Sequence, residues 1–363
     1  MRTLLRLFCL FVTGAMLLFA AGPARDQWVA VADRLVRTAP ESYPIDWGEG
    51  VQMCGLMQVF SRTHYDRYAD FVEKWAAFHL PGGVDALLGN TADSPRKGYC
   101  GRWVCGTALA ALFEARRKPE YLEAASRMAE FVRTGATRGP EGELGHWLGN
   151  HQLWVDTLNM ACPLLSRLAK VEDRTAYLDD AVNQLLVAAR HMRDRQTGLF
   201  YHMWDWQSGK IEGAQWGRGN GWVIMSLADT FEYLPKSHRD YPALRRLAEE
   251  HARALAAVQD SDGLWHTVLD DPQSYAECSA TTMVAYGLMK LVRLKVLPER
   301  YREPARRAWV AVNRRWFEDG LVSGVSAGTD PSDKDGYRTR PQGTYTWGTG
   351  AYLMAGSEAD RLP

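Results

Sequence analysis

Apolar residues recur three and four positions apart along almost the whole chain, the spacing of one helix face. Runs of strict alternation, which mark strands, are nearly absent. Read in order, the periods predict about twelve helices, over 27–38, 47–63, 65–80, 101–117, 119–135, 154–171, 174–192, 217–234, 241–260, 274–294, 299–317 and 346–358. Short β-like pieces such as GLWHTVL at 263–269 fall only in connections.

The helices alternate between two kinds. One kind opens on aromatic, glycine and small polar residues: WGEGV (47–51), CGRWVCG (100–106), WVDT (154–157), WGRGNGW (216–222), YAECSATT (275–282) and TWGTG (346–350). The other opens near a tyrosine (68, 121, 177, 241, 301) and carries more charge, as in YPALRRLAEEHARAL. Small residues let a helix pack on both sides, whereas a charged face needs water. The alternation therefore predicts an inner and an outer ring, an all-α fold in which six helical hairpins close as an (α/α)6 toroid. An open α-solenoid is the alternative. In the closed form all inner helices run one way, so their N-termini share one mouth, where an anionic group is favoured. The Gly-, Asp-, Ser- and Pro-rich stretches 81–99 and 320–345 read as loops over that mouth, not as domain boundaries.

The first 24 residues interrupt this pattern. Arg2 and Arg6 precede an apolar run that small residues close, the form of a secretory signal peptide cleaved near residues 21–24. An uncleaved anchor is the alternative. The expected organisation is a signal over 1–24 and a single barrel over 25–363, exported to the periplasm or secreted, free of the membrane once cleaved. Net charge is zero, unlike the basic footprint of a nucleic-acid binder. After Cys9, five cysteines remain (54, 100, 105, 162, 278). An odd, sparse set reads as buried thiols and makes neither a disulfide framework nor a zinc site; a Cys100–Cys105 pair is the alternative, although a helix would hold the two on different faces. No metal or organic cofactor is indicated, and the protein is expected as a monomer or weak homo-oligomer.

The entrances supply Trp47 and Glu49, Arg102 and Trp103, Trp154 and Asp156, Trp216, Arg218, Asn220 and Trp222, then Glu277, Ser279 and Trp347. Connections add His146, His151 and His202. Tryptophans stack on sugar faces, Arg, Asn and His read carboxylates and hydroxyls, and Asp and Glu move protons. The expected partner is an oligosaccharide with an anionic terminal sugar. Each residue also has a structural reading. Trp154, Trp222 and His202 could be core, the glycines could serve close helix packing, Arg218 could bridge a carboxylate, and Asp156 could cap its helix or occupy its first turn.

WVDTLNMACPLL, GLFYHMWDW, QWGRGNGWVIMSLADTFEYLP and DGLWHTVLDDPQSYAECSATTMVAYGLMK resemble glycoside hydrolase family 105, the unsaturated rhamnogalacturonyl hydrolases, related to the unsaturated glucuronyl hydrolases of family 88. The resemblance runs from about Trp47 to the closing GTGAYLMAGSE. It implies a six-hairpin toroid with a pocket for a Δ4,5-unsaturated uronic acid at a non-reducing end. It also implies hydration of the enol ether instead of direct displacement at the anomeric carbon. By the same resemblance Asp156 is the catalytic acid/base, and Trp154, His202, Trp216, Arg218, Trp222 and His146 are pocket residues; the entrance pattern adds Trp47 and Arg102 as substrate-binding candidates at the mouth. That role asks for an Asp156 pKa raised by burial beside apolar rings, and for Arg218 on the substrate carboxylate.

One departure stands out. Family members commonly carry a second aspartate at the start of the second inner helix, where this chain reads YCGRWVCG and Arg102 or its neighbours take the place. Two other functions follow the same fold. An inverting glycosidase would pair Asp156 with Glu49 or Glu277 across roughly 6.5–9.5 Å. A glycan-binding homologue would keep the pocket without the chemistry.

Overall fold

The computed structural model describes residues 23–361, and the signal reading at 1–24 lies essentially outside them. Among the described residues are twelve long helices and two short ones. They are α1 (Pro23–Thr38), α2 (Trp47–Thr63), α3 (Asp66–His79), the short α4 (Gly83–Leu87), α5 (Val104–Arg116), α6 (Pro119–Glu130) and α7 (Val155–Val171). Then follow α8 (Thr175–His191), α9 (Gly217–Phe231), α10 (Tyr241–Ala257), α11 (Cys278–Arg293), α12 (Arg302–Trp316), the short α13 (Lys334–Arg338) and α14 (Thr346–Ala359).

The expected division into two rings is observed. Every residue of α11 from Cys278 to Val292 is buried, as a helix packed on both sides requires. In α10 the buried residues are Leu244, Leu247, Ala248, His251, Ala252, Ala254 and Leu255, one stripe at helical spacing. Helices α2, α5, α7, α9 and α11 pack each on the next, and α14 packs on both α11 and α2 to close the ring. Outside it, α3, α6, α8, α10 and α12 lie against their inner neighbours.

The sixth hairpin departs from simple chain order. The chain enters on an outer helix, α1, and leaves on an inner one, α14, and these two pack together. The contact is close: a Cβ on Gly356 would come within 2.5 Å of Trp28, so the indole lies directly on the α14 backbone.

Parallel inner helices give the ring two unlike ends. At the C-terminal end lies a cavity of about 420 Å3 whose wall includes Glu114, Arg167, Asp229, Glu232, Lys290 and Glu358. These charges pair between neighbouring helices: Arg167 with Glu114, Lys290 with Asp229 at 2.7 Å and with Glu232, and Arg293 with Glu358 at 2.7 Å. Lys290 is almost fully buried, and the charge of Asp229 and the neighbouring acids outweighs that burial and holds its pKa high. The N-terminal end carries the connections. A three-stranded antiparallel sheet joins β1 (Gln152–Trp154), β2 (Met203–Asp205) and β3 (Ile211–Glu212). Two short hairpins, β4 (Phe317–Glu318) with β5 (Leu321–Val322) and β6 (Val325–Ser326) with β7 (Gln342–Gly343), belong to the long loop before α14.

All five described cysteines are free; four are buried and Cys54 is half-buried.

Candidate active site

At the N-terminal end of the inner ring is a cavity of about 270 Å3. Trp47, Cys100, Gly101, His146, Trp154, Asp156, Trp216 and Arg218 line it, with Arg96, Tyr99 and Gly328–Asp330 from the two long loops. Four of the six entrances thus reach the cavity directly. The other two brace it: Ser279 and Glu277 of the α11 entrance contact Arg218, and Trp347 of α14 stacks on Trp47 with ring centroids 4.2 Å apart.

The small sheet sets the centre. Trp154 of β1 pairs with Met203 of β2, so the residues just past these positions, Asp156 and His202, come side by side. The Val155 amide donates to the His202 carbonyl at 3.0 Å. His202 Nε2 then lies 3.2 Å from Asp156 Oδ2, and His202 Nδ1 lies 2.7 Å from the Tyr337 hydroxyl. Asp156 stands in the first turn of α7; the capping position is Trp154 and carries no side-chain cap. Its carboxyl is free for His202 and for the cavity, to which 19% of the side chain is exposed.

Aromatic rings order this centre. His146 stacks on Trp154 (4.1 Å, 12°), Trp154 meets His202 edge-on (5.3 Å), and His202 stacks on Trp216 (4.4 Å). His146 Nδ1 also lies 2.8 Å from Thr157 Oγ1 and 3.1 Å from Cys100 Sγ. Gly213, at φ +84°, lets the chain pass behind His202; a Cβ there would sit 2.5 Å from the Tyr337 hydroxyl and 2.6 Å from His202 Cβ.

The electrostatics correct one expectation. Burial does push the Asp156 carboxyl upward, but the hydrogen bond and charge of His202, with lesser contributions from His146 and Arg218, outweigh it and leave the pKa below the ordinary carboxylate value. Burial pulls His146 down to about 3, so that imidazole is neutral at neutral pH and His202 is the effective counter-group. Burial first, with Asp156 adding to it, raises the Tyr337 phenol, which stays protonated.

The motif WGRGNGW divides its labour. Trp216 supplies the ring under His202. Arg218, fully buried, donates to Ser326 Oγ (2.6 Å), Ser326 O (2.8 Å), Ala327 O (2.8 Å) and Thr329 Oγ1 (3.1 Å), and lies 4.0 Å from Glu277. It pins the wall at 326–329, and only Nε is unspent. Asn220 clamps Phe200 on both its amide (2.8 Å) and its carbonyl (2.9 Å), fixing the strand that delivers His202. The glycines allow close helix approach: a Cβ on Gly221 would meet Met283 Cβ at 2.8 Å.

Several expected residues lie elsewhere. Trp222 is fully buried and outside the cavity lining; six residues past Trp216 it points about 240° around the helix. Arg102 is not at the cavity either. Residues 100–102 form a 3-10 turn ahead of α5, which swings Arg102 outward to donate to the Ala86 carbonyl at 2.8 Å. Cys100 from the same turn faces the cavity instead. His202 stands behind Asp156, not in the lining, and His151 packs on Trp206 away from it. Glu277 caps α11, receiving the amides of Ala280 (2.6 Å) and Ser326 (2.7 Å), and Glu49 accepts from Thr346 (3.2 Å). Neither lines the cavity. The sequence reading overlooked Tyr337, Arg96 and Cys100. Tyr337 sits in KDGYRTR, five helical residues too short for a periodic signal, although the loop around it was expected over the mouth.

Comparison with known proteins agrees with this architecture. Residues 24–362 match the family model of Glycosyl Hydrolase Family 88. The chain is 31% identical to the unsaturated rhamnogalacturonyl hydrolase YesR of Bacillus subtilis, over 90% of this chain and 93% of that protein. It is 28% identical to an unsaturated 3S-rhamnoglycuronyl hydrolase of Formosa agariphila, over 88% and 85%. A crystal structure from Klebsiella pneumoniae, described as a possible member of family GH105, superposes with a TM-score of 0.84 at 28% identity, covering 95% of this chain and 94% of that one. The fold and site thus define a glycoside hydrolase of the helical-toroid type. The chain belongs to Glycosyl Hydrolase Family 88, and the resemblance to the related family 105 holds.

Proposed function

We propose that this protein removes a Δ4,5-unsaturated uronic acid from the non-reducing end of pectin-derived, rhamnogalacturonan-type oligosaccharides, with Asp156 as general acid/base. The observation that carries the reading is the Asp156–His202 contact of 3.2 Å at an aromatic-walled cavity open to one sugar. The relatives' names, unsaturated rhamnogalacturonyl and rhamnoglycuronyl hydrolases, support the substrate class.

Burial raises the Asp156 carboxyl, but in the open cavity the hydrogen bond and charge of His202 outweigh it and hold the carboxyl below its ordinary value. A bound ring displaces water, and low dielectric disfavours the carboxylate, so Asp156 takes up a proton. Asp156 then gives it to C4 of the C4=C5 double bond, and the positive charge develops at C5 and the ring oxygen. Water adds at C5 and returns a proton to the carboxylate. The resulting hemiketal opens to a ketone at C5 and a hemiacetal at C1, which releases the leaving sugar as an alcohol. One water is consumed per linkage broken. Trp154 and Trp216 line the cavity with Asp156 and shape the space for the flattened ring. Export, with removal of the first 21–24 residues, belongs to the same proposal. Arg2, Arg6 and the apolar run support it, and N-terminal sequencing of the secreted protein tests it.

The assay is loss of ultraviolet absorbance as the conjugated double bond of an unsaturated galacturonyl-rhamnose disaccharide is hydrated. Asp156→Asn should bind the disaccharide and turn it over about 100- to 10,000-fold more slowly. Near-normal turnover by this variant sinks the assignment. Cleavage of saturated glycosides in its place would indicate a two-carboxylate glycosidase.

A further inference from the structure

We infer that Arg96, and not Arg218, is the cation that reads the carboxylate of the bound sugar. This rests on the proposed reading of the cavity as a uronate site and goes beyond it, because no motif or comparison points to residue 96. The lining offers two cations, Arg96 and Arg218, against two carboxylates, Asp156 and Asp330. Arg218 is spent: both terminal nitrogens are committed to the 326–329 wall, and the buried carboxylate of Glu277 lies 4.0 Å away. Its charge is largely compensated before a ligand arrives. Arg96 is exposed and makes no hydrogen bond or ion pair among the described residues. Its charge reaches the cavity, where it weighs on His146, Tyr99 and Cys100.

Arg96 is also placed. Its guanidinium lies 5.0 Å over the Trp147 ring, and Trp147 packs edge-on against His146 and Trp154. The backbone behind it is tied to the same loop: the Leu148 amide donates to Lys97 O at 2.9 Å and the Cys100 amide to His146 O at 3.0 Å. A guanidinium held over an indole, with no hydrogen bond of its own among the described residues, keeps its N–H groups available for a planar carboxylate. An uncompensated forked donor in the same lining as Asp156 and Asp330 offsets the repulsion those two acids exert on an anionic sugar.

The test uses the full chain with the unsaturated galacturonyl-rhamnose disaccharide as free acid and as methyl ester. Arg96→Gln should raise KM for the acid roughly tenfold, the lower end for a charge-assisted hydrogen bond, with kcat nearly unchanged and KM for the ester unchanged. Arg96→Lys should recover part of the loss. An unchanged KM for the acid, or equal losses on acid and ester, overturns the inference. If the wild-type protein fails to turn over the acid, the functional reading fails, and calorimetric binding of acid and ester decides the Arg96 question separately. A loss of affinity confined to the acid keeps the inference; equal loss, or no binding of either form by wild type, ends it.

Discussion

Arg218 tests whether a buried arginine beside a proposed sugar cavity serves the ligand or the wall. Consider Arg218→Met, which keeps much of the volume and removes the fork. Four acceptors at Ser326, Ala327 and Thr329 lose their donor at distances of 2.6–3.1 Å. Glu277, fully buried, loses its counter-charge at 4.0 Å, though the amides of Ala280 and Ser326 still hold it. Breaking a buried pair by removing one partner costs about 3–5 kcal/mol. At about 2.1 cal/mol/K per residue, the barrel over residues 23–361 unfolds with an entropy of about 0.7 kcal/mol/K, so that cost is a Tm fall of about 4–7 °C. The loosened wall should also admit protease within 320–345, because the segment holds its place through Arg218, Tyr337 and Glu277. Thermal unfolding and limited proteolysis read both effects without substrate. A Tm within 1 °C of wild type, with an unchanged cleavage pattern and a defect seen only on anionic substrate, would refute the reasoning and return Arg218 to direct carboxylate binding.

Two further outcomes follow from the buried histidines. Tyr337→Phe leaves His202 Nδ1 buried and unpaired while keeping the ring; the unmade bond costs about 1–3 kcal/mol, and kcat should fall roughly tenfold with little change in KM in the ultraviolet assay. A wild-type kcat would remove Tyr337 from the proton pathway. His251, fully buried on α10 with Nε2 3.2 Å from Asn220 O, is pulled down to about 4 by burial. The unfolded chain takes up this proton first as pH drops below about 6.5, so folding stability should fall between pH 6.5 and 4, by about 3 kcal/mol from this site. Urea unfolding at both ends of that window should show His251→Gln losing less than wild type; equal losses would assign the acid sensitivity elsewhere.

Much of this arrangement was visible in the residue pattern, for identifiable reasons. Inner helices are buried on all sides and outer ones on one stripe, so α10 and α11 announce their layers by composition alone. Trp154 and Asp156 were legible because WVDT opens an inner helix on aromatic and polar residues and belongs to the stretch that resembles family 105. What stayed hidden depends on rotation and long-range closure. A single 3-10 turn exchanged Arg102 for Cys100 at the cavity, and a periodicity argument that starts the helix at 101 instead of 104 has no means of seeing it. Tyr337 reaches His202 across 135 residues, through a loop without regular spacing. The direction of the Asp156 shift was misjudged because burial and the His202 contact oppose each other, and only coordinates give the second.

The meeting of α1 with α14 has a consequence for how the protein comes into being. A nascent chain emerging from the ribosome can assemble five staves in order, but the barrel stays gapped until α14 has emerged and docks between α2 and α11. During that interval Trp28 has no backbone to lie on and Trp47 lacks the ring of Trp347. A circular permutant that joins α14 to α1 and opens an outer loop would turn this late, long-range docking into an ordinary local step, and its refolding should be faster than that of the natural order.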